Sequence, residues 1–223
     1  MNKYRIVFMG TPDFGVPALE AMTLHGYQPV AIYCQPDRIN GRGRKINYSP
    51  VKSFGLSHDI PVYQPDSLKN PKEQEKLKAL SPDLLVVIAY GKILPKAVLD
   101  IPTYGAINVH ASLLPKYRGA APIQRVIIDG EKETGVTIMQ LDEGMDTGNI
   151  ISAVKMAIPS HMNAGELFDQ LGSLGARELI HVLDDLPEKL KHSVPQNQEE
   201  ASYAEKITKD MGHLDWNLPA DKD

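Results

Sequence analysis

The chain has 223 residues, of which 42% are hydrophobic and 23% are charged. This is the composition of an ordinary globular protein, and it excludes a disordered, collagenous or fibrous chain. The formal net charge of −4 provides no overall attraction to nucleic acid, so any RNA partner would have to bind a local basic patch.

The apolar runs are too short for the membrane. The longest, residues 84–89, is far shorter than the ~20 residues that a membrane-spanning helix needs. At the N-terminus only residues 6–9 are continuously apolar before Gly10, which is too short for a signal peptide. We therefore expect a cytoplasmic protein without a membrane partner.

The single cysteine, Cys34, excludes disulfide frameworks, iron–sulfur clusters and cysteine-based zinc sites. It lies in the apolar, strand-like run 30–34. This position favours a core cysteine over a catalytic nucleophile.

Through the first two thirds of the chain, strand-like runs alternate with helical patterns. The run at residues 4–9 is followed by a glycine turn and by a helix that starts near Pro17 and stops before Gly26. Further strands are predicted at residues 29–34, 61–63, 84–89, 106–109 and 136–141, and further helices at 51–58, 71–80 and 120–129. Such alternation predicts an α/β fold, a Rossmann-like, mostly parallel sheet with helices on both faces.

The pattern changes after this region. A strand over residues 150–158 is followed by a long helix, whose start is marked by Asn163 as the N-cap and by Glu166 three residues later. Residues 190–207 are polar, with few core-forming side chains, and this composition predicts a linker.

The turn after the first strand argues against common nucleotide cofactors. It reads GTPDFG over residues 10–15 and lacks the G-x-G-x-x-G spacing of dinucleotide sites. Pro12 and Phe14 stand where a pyrophosphate needs bare backbone. A phosphate-loop motif is also absent from the sequence, and a tight turn without any ligand remains an alternative.

Asn108 and His110 are the first candidate site residues. They are two apart on a predicted strand, so their side chains point to the same face, with Val109 on the other. A polar pair at the carboxyl end of such a strand, where parallel sheets bind ligands, indicates a site. The alternative is a structural, hydrogen-bonded pair at the strand end.

An acidic loop with flanking glycines, residues 142–148, is the second candidate. It lies at the same sheet edge as His110 if the preceding strand is parallel. A carboxylate from this loop would orient the imidazole and favour its charged form, while Asn108 would supply an oxyanion donor, as in acyl transfer without a covalent nucleophile. The alternative is a divalent cation held by Asp142, Glu143 and Asp146, although the loop lacks the ligand spacing of an EF-hand.

Several longer motifs add a family resemblance. They are MGTPDF at 9–14, QPDR at 35–38, GRGRK at 41–45, INVHASLLPKYRGAAPIQ at 107–124, ETGVTIMQLDEGMDTG at 133–148 and YAEKI at 203–207. Together they resemble the methionyl-tRNA formyltransferase branch of the folate-dependent formyltransferases over essentially the whole chain. The H-x-SLLP segment with a downstream aspartate is shared with glycinamide ribonucleotide and amino-sugar formyltransferases, so it implies the chemistry and not the acceptor.

The resemblance implies a fold of the formyltransferase type and a reaction. The formyl donor would be 10-formyltetrahydrofolate, and the acceptor would be the α-amino group of methionine on initiator tRNA. Asn108 and a protonated His110 would stabilise the oxyanion, and Asp146 would orient His110 and help to move the proton. No metal would be required. An amino-sugar N-formyltransferase, or a folate- or RNA-binding fragment with little activity, remain the alternatives.

The resemblance also implies binding residues. The folate slot would lie between residues 88–94, 112–115 and 141–144, with contacts from Tyr90, Gly91, Ile93, Ser112, Leu113, Leu114, Pro115 and Asp142. The long connection 36–50 would order against the tRNA acceptor end through Arg38, Arg42, Arg44 and Lys45.

Finally, the resemblance implies a domain organisation. A catalytic domain is expected over residues 1–189, a linker over 190–207 and, at 208–223, the start of a C-terminal domain that is otherwise missing. We expect the protein to be a monomer.

Overall fold

The structure is a computed structural model that describes residues 3–40 and 45–212. The strands are β1 (Ile6–Gly10), β2 (Ala31–Tyr33), β3 (Arg38–Asn40), β4 (Lys45–Asn47), β5 (Val62–Tyr63), β6 (Leu84–Ile88), β7 (Ala106–His110), β8 (Arg118–Gly119), β9 (Glu133–Gln140), β10 (Ile150–Ala157) and β11 (Tyr203–Ala204). The helices are α1 (Val16–Leu24), α2 (Pro50–Ser57), α3 (Pro71–Ala79), α4 (Lys96–Leu99), α5 (Pro122–Ile128), α6 (Ala164–Asp184) and α7 (Leu186–Lys191). None of the helices in this described part is both long enough and apolar enough to cross a bilayer.

The main sheet has the strand order β10-β9-β7-β6-β1-β2-β5. Strands β7, β6, β1, β2 and β5 pair in parallel, whereas β9 is antiparallel to β7, and β10 to β9. The predicted α/β fold with a mostly parallel sheet is therefore confirmed.

Side chains alternate in direction along each strand, so apolar residues lie on both faces of this sheet. Helices cover both faces. On β1, Ile6 and Phe8 pack with α1, α2, α5 and α6, while Val7 and Met9 pack with α3 and α4. These contacts form one hydrophobic core on each face of the sheet. The parallel strands are therefore buried on both sides, as their continuously apolar runs predict.

Helix α6 begins where the sequence predicts. The Asn163 side chain accepts from the backbone N–H of Gly165 and Glu166, and the Glu166 carboxylate accepts from the backbone N–H of Asn163. This capping box fixes the start of the long helix that packs on β7, β9 and β10.

The polar segment after α7, where the sequence predicts a linker, pairs with the rest of the domain. Val194 bridges to Ile150, and β11 pairs in parallel with β8. Ala204 and Gln196 are buried against the domain. These contacts depend on backbone pairing and on polar side chains, which hydrophobic patterning does not detect. From residue 213 onward, the expected start of a C-terminal domain lies outside the described residues.

Candidate active site

A cavity of about 550 Å³ opens at the carboxyl ends of β6 and β7. Its walls come from the segment after β6, from β7, from the loop after β9 and from the start of α5. Asn108, His110 and Asp146 all line it. The cavity therefore lies where parallel sheets bind ligands, and it contains the polar groups that the sequence singles out.

Strand β7 positions the Asn108 and His110 side chains. Both face the cavity, and the Val109 side chain between them faces α6, where its Cγ1 would lie only 2.7 Å from a Cβ added at Gly175. The predicted alternation along this strand is confirmed. His110 is buried and Asn108 is partly exposed, and both residues line the cavity.

His110 lies between two fixed partners. Its Nε2 is 2.9 Å from the carbonyl oxygen of Tyr117, and because a carbonyl only accepts, Nε2 carries a proton and donates. Its Nδ1 faces Oδ1 of Asp146 at 3.8 Å. This arrangement holds the ring between a backbone carbonyl and a carboxylate, which fixes its orientation in the cavity wall.

Asp146 reaches His110 by a route that the sequence does not predict. Because β9 is antiparallel to β7, its carboxyl end lies beside Ile107, at the opposite end of β7 from His110. The assumption that the strand before the acidic loop, β9, runs parallel to β7 is therefore wrong. The loop instead folds back toward His110, and Oδ2 of Asp146 accepts from the backbone N–H of Gly119 at 2.8 Å.

The other acidic residues of this loop do not form a metal cage. Oδ1 of Asp142 accepts from the backbone N–H of Gly144 and from the Thr147 hydroxyl. Within residues 3–40 and 45–212, no group of at least three His, Cys, Asp or Glu side chains is placed to hold a metal ion.

A family model described as formyl transferase matches residues 4–183. The chain belongs to the formyl transferase family. It is 51% identical over 216 residues to the methionyl-tRNA formyltransferase of Hydrogenovibrio crunogenus, covering 97% of this chain and 69% of that one. It is 52% identical over 217 residues to the methionyl-tRNA formyltransferase of Caldanaerobacter subterraneus subsp. tengcongensis, covering 97% of this chain and 70% of that one.

Solved structures of the family share the fold. Phosphoribosylglycinamide formyltransferase from Streptococcus pneumoniae superposes with a TM-score of 0.68 at 19% identity, over 82% of this chain and 98% of that one. An N-formyltransferase from Helicobacter canadensis, solved with folinic acid and dTDP-3-aminofucose, gives a TM-score of 0.68 at 22% identity, over 92% of this chain and 71% of that one. At these identities the likeness concerns the fold alone.

Only part of the expected folate-binding set lies at this cavity. Tyr90, Gly91, Ile93 and Asp142 line it. Tyr90 is 2% exposed, and burial raises the pKa of its phenol to about 12. Ile93, which is 78% exposed, lies at the rim.

The expected contacts from Ser112, Leu113, Leu114 and Pro115 are not placed in the cavity wall. The chain turns away after β7, and the Ser112 hydroxyl donates to the carbonyl of Lys116 at 2.7 Å. Leu113 lines a separate cavity of about 120 Å³. The backbone N–H of Leu114 donates to the Thr137 hydroxyl, so this segment fixes the end of β7 instead.

Two short strands lie within the basic segment, which the sequence predicts to be a long connection. Arg38 and Lys45 belong to β3 and β4, which pair antiparallel, whereas Arg42 and Arg44 lie outside the described residues. At its base, the Lys52 ammonium and the Gln64 amide donate to the Asp37 carboxylate and hold the pKa of Asp37 below its ordinary value.

Other residues of the site carry no clear sequence signal. Phe14 from the first turn and Phe168 from α6 form an edge-to-face pair in the cavity wall, with ring centroids 5.2 Å apart. Their spacing along the chain resembles ordinary core positions. The Tyr117 carbonyl acts through backbone geometry, which residue type does not reveal.

Proposed function

We propose that this chain transfers the formyl group of 10-formyltetrahydrofolate to the α-amino group of methionine esterified to initiator tRNA. The observation that carries the proposal is the convergence of Asn108, His110 and Asp146 on one cavity, in a chain about half identical to relatives named methionyl-tRNA formyltransferase. The amino-sugar alternative is not favoured, because the N-formyltransferase from Helicobacter canadensis is only 22% identical to this chain.

In the first step the neutral amine attacks the formyl carbon. A new N–C bond forms, and the π electron pair of the carbonyl moves onto the formyl oxygen. The Asn108 amide and Nδ1–H of the His110 imidazolium, the ring nitrogen that is not bonded to the Tyr117 carbonyl, donate to this developing oxyanion from the cavity wall. A fixed donor of this kind contributes on the order of 3 kcal/mol to transition-state stabilisation.

In the second step the bond between the formyl carbon and N10 of the folate breaks. The oxyanion electron pair reforms the carbonyl, and the proton lost by the attacking amine is delivered to the departing nitrogen. Asp146, whose carboxylate faces His110, assists this transfer directly or through a water molecule. The step requires no covalent bond to the enzyme.

The cavity suits the donor as well as the chemistry. Its wall is mostly apolar, with Phe14, Tyr90 and Leu94, and the loop after β9 lines one side. We assign folate contacts to Tyr90, Gly91, Ile93 and Asp142. The segment 112–115 then supports the site from behind β7.

The basic segment suits the acceptor. Arg38, Arg42, Arg44 and Lys45 concentrate positive charge between residues 38 and 45 of a chain whose overall charge is −4. Guanidinium groups bind phosphates through paired hydrogen bonds, so we assign this basic segment to the tRNA acceptor end. Action in the cytoplasm, a monomeric state and a catalytic domain over residues 1–189 stay predictions of the same proposal.

The identity of the acceptor distinguishes the proposed function from the amino-sugar alternative. Purified chain is incubated with 10-formyltetrahydrofolate and either charged initiator methionyl-tRNA or a nucleotide-linked amino sugar, and formylated product is identified by mass spectrometry. We expect formylmethionyl-tRNA and no formylated sugar. Formylation of the sugar alone would assign the chain to the amino-sugar branch. If neither acceptor is formylated, the result would favour a folate- or RNA-binding fragment with little activity.

A further inference from the structure

A buried arginine lies directly behind the active site. Arg118 of β8 is 1% exposed, and within residues 3–40 and 45–212 none of its ion-pairing distances to a carboxylate is within 4.0 Å. Its guanidinium donates instead to amide oxygens. Nε and Nη2 bond Oε1 of Gln196 at 3.0 and 2.7 Å, and Nη1 bonds Oε1 of Gln198 at 2.8 Å.

Gln196 connects this buried charge to the loop that carries Asp146. Its Nε2 donates to the carbonyl oxygens of Asp146 and Gly148, both at 2.8 Å. The side chain is buried, and both ends of its amide are used. The guanidinium fixes the oxygen end of the amide, so the donor end is directed at the loop.

The same segment holds the opposite partner of His110. The Ser202 hydroxyl accepts from the backbone N–H of Tyr117 at 2.9 Å, and the Ser202 carbonyl accepts from that of Arg118 at 2.9 Å. The carbonyl of Tyr117 is the group that bonds Nε2 of His110. Residues 196–204, which we name the brace, therefore contact both chain segments that flank the imidazole.

Both flanking residues need such support. Tyr117 has a φ of 59° and Asp146 a φ of 54°, a left-handed conformation that non-glycine residues adopt at a cost in free energy. Conformations of this kind persist when the surroundings fix them, and the brace supplies a hydrogen bond to each residue. It lies beyond residues 4–183, the part of the chain that the formyl transferase family model matches.

We propose that the brace sets the positions of Asp146 and of the Tyr117 carbonyl on either side of His110, with Gln196 as a positioning residue for formyl transfer. The inference rests on the proposed function for its kinetic test. Asp146 and Tyr117 approach His110 from separate loops, and one segment that bonds both keeps their spacing constant.

The variant Gln196→Glu separates positioning from simple anchoring. A carboxylate at this position keeps the size of the side chain and pairs more strongly with Arg118, so the brace stays attached. It cannot donate to the carbonyls of Asp146 and Gly148, and it repels them. The matched control is Gln198→Glu, which places the same charge on the same arginine from an exposed position without contact to the loop.

In the formyl transfer assay we expect Gln196→Glu to lower kcat by about tenfold or more, since small displacements at a catalytic centre have effects of this size. KM for both substrates and the Tm should stay close to those of the unsubstituted chain. Gln198→Glu should keep an unchanged kcat. An unchanged kcat in Gln196→Glu, or an equal loss in both variants, would overturn the proposal.

Two further measurements cover other outcomes. If Gln196→Glu fails to fold, Ser202→Ala removes only the hydroxyl that bonds Tyr117, and an unchanged kcat there would contradict the brace. The NMR ring signals of His110, assigned by their loss in His110→Asn, should shift in Gln196→Glu and not in Gln198→Glu. This NMR measurement needs no turnover. If the unsubstituted chain is inactive on methionyl-tRNA, the proposed function is overturned, and the NMR comparison still tests whether the brace positions the groups around His110.

Discussion

Several weakly acidic side chains lie where burial opposes their ionisation. Burial raises the pKa of the Tyr90 phenol to about 12, and burial together with a hydrogen bond to Asp184 raises that of Tyr27 to about 12. Burial also raises the pKa of Tyr33 and of the Cys34 thiol. All of these groups are therefore neutral in the folded protein at physiological pH.

We expect the free energy of unfolding to fall as the pH rises from about 9 toward 12, because these groups ionise at lower pH in the unfolded chain than in the folded one. Each raised pKa thus contributes stability that is complete below the unfolded pKa and is lost above it. Urea unfolding at increasing pH measures the trend, and ultraviolet absorbance follows the phenolates. Stability that stays constant through this range, with all tyrosines ionising together near pH 10, would contradict these environments.

Individual site residues differ in how far the sequence predicts them. Asn108 and His110 follow from strand alternation, which depends on local backbone geometry alone. Asp146 carries the expected chemistry, but its route to His110 depends on a loop that folds back, which no local pattern encodes. Gln196 gives no signal, because a buried amide in a polar segment has the same composition as a solvated linker.

At the scale of elements, the contact of α6 with β7 controls the strand that carries Asn108 and His110. A Cβ added at Gly175 would lie 2.7 Å from Cγ1 of Val109. One turn earlier on the same helix, a Cβ added at Gly172 would meet Pro17 at an ordinary 3.6 Å. The two glycines therefore form a matched pair with opposite expected effects.

We expect Gly175→Ala to destabilise the protein by about 1–3 kcal/mol through overpacking against Val109. Gly172→Ala should stabilise it by up to about 1 kcal/mol, because alanine is the better helix former and its methyl group makes ordinary van der Waals contacts here. Urea unfolding of both variants gives the comparison. Equal effects in the two variants would show that the close approach of α6 to β7 is not the controlling contact.

The elements differ in how well the sequence predicts them, according to whether they carry an apolar pattern. Buried strands such as β1 and β6 are predicted by their continuous apolar runs. The short pairs β3–β4 and β8–β11 are not, since they form by backbone hydrogen bonds without an apolar face pattern. The direction of β9 is likewise not encoded in its hydrophobicity, which is the same for a parallel and an antiparallel neighbour.

At the scale of the whole molecule, the site joins distant parts of the chain. The first turn, the segment after β6, β7 and the loop after β9 form the cavity, and residues 196–204 support it from behind. A sheet with helices on both faces holds these segments at one edge. The chain spans about 70% of the length of its methionyl-tRNA formyltransferase relatives.

The central claim is that Asn108, His110 and Asp146 form the catalytic centre of a methionyl-tRNA formyltransferase. The most direct test is the rate of formylmethionyl-tRNA formation by His110→Ala and Asp146→Asn relative to the unsubstituted chain, with folding verified by circular dichroism. We predict a loss of about 10²–10⁴-fold in each folded variant, the size expected for a positioned acid–base group. A near-unchanged rate in either folded variant would contradict the assignment.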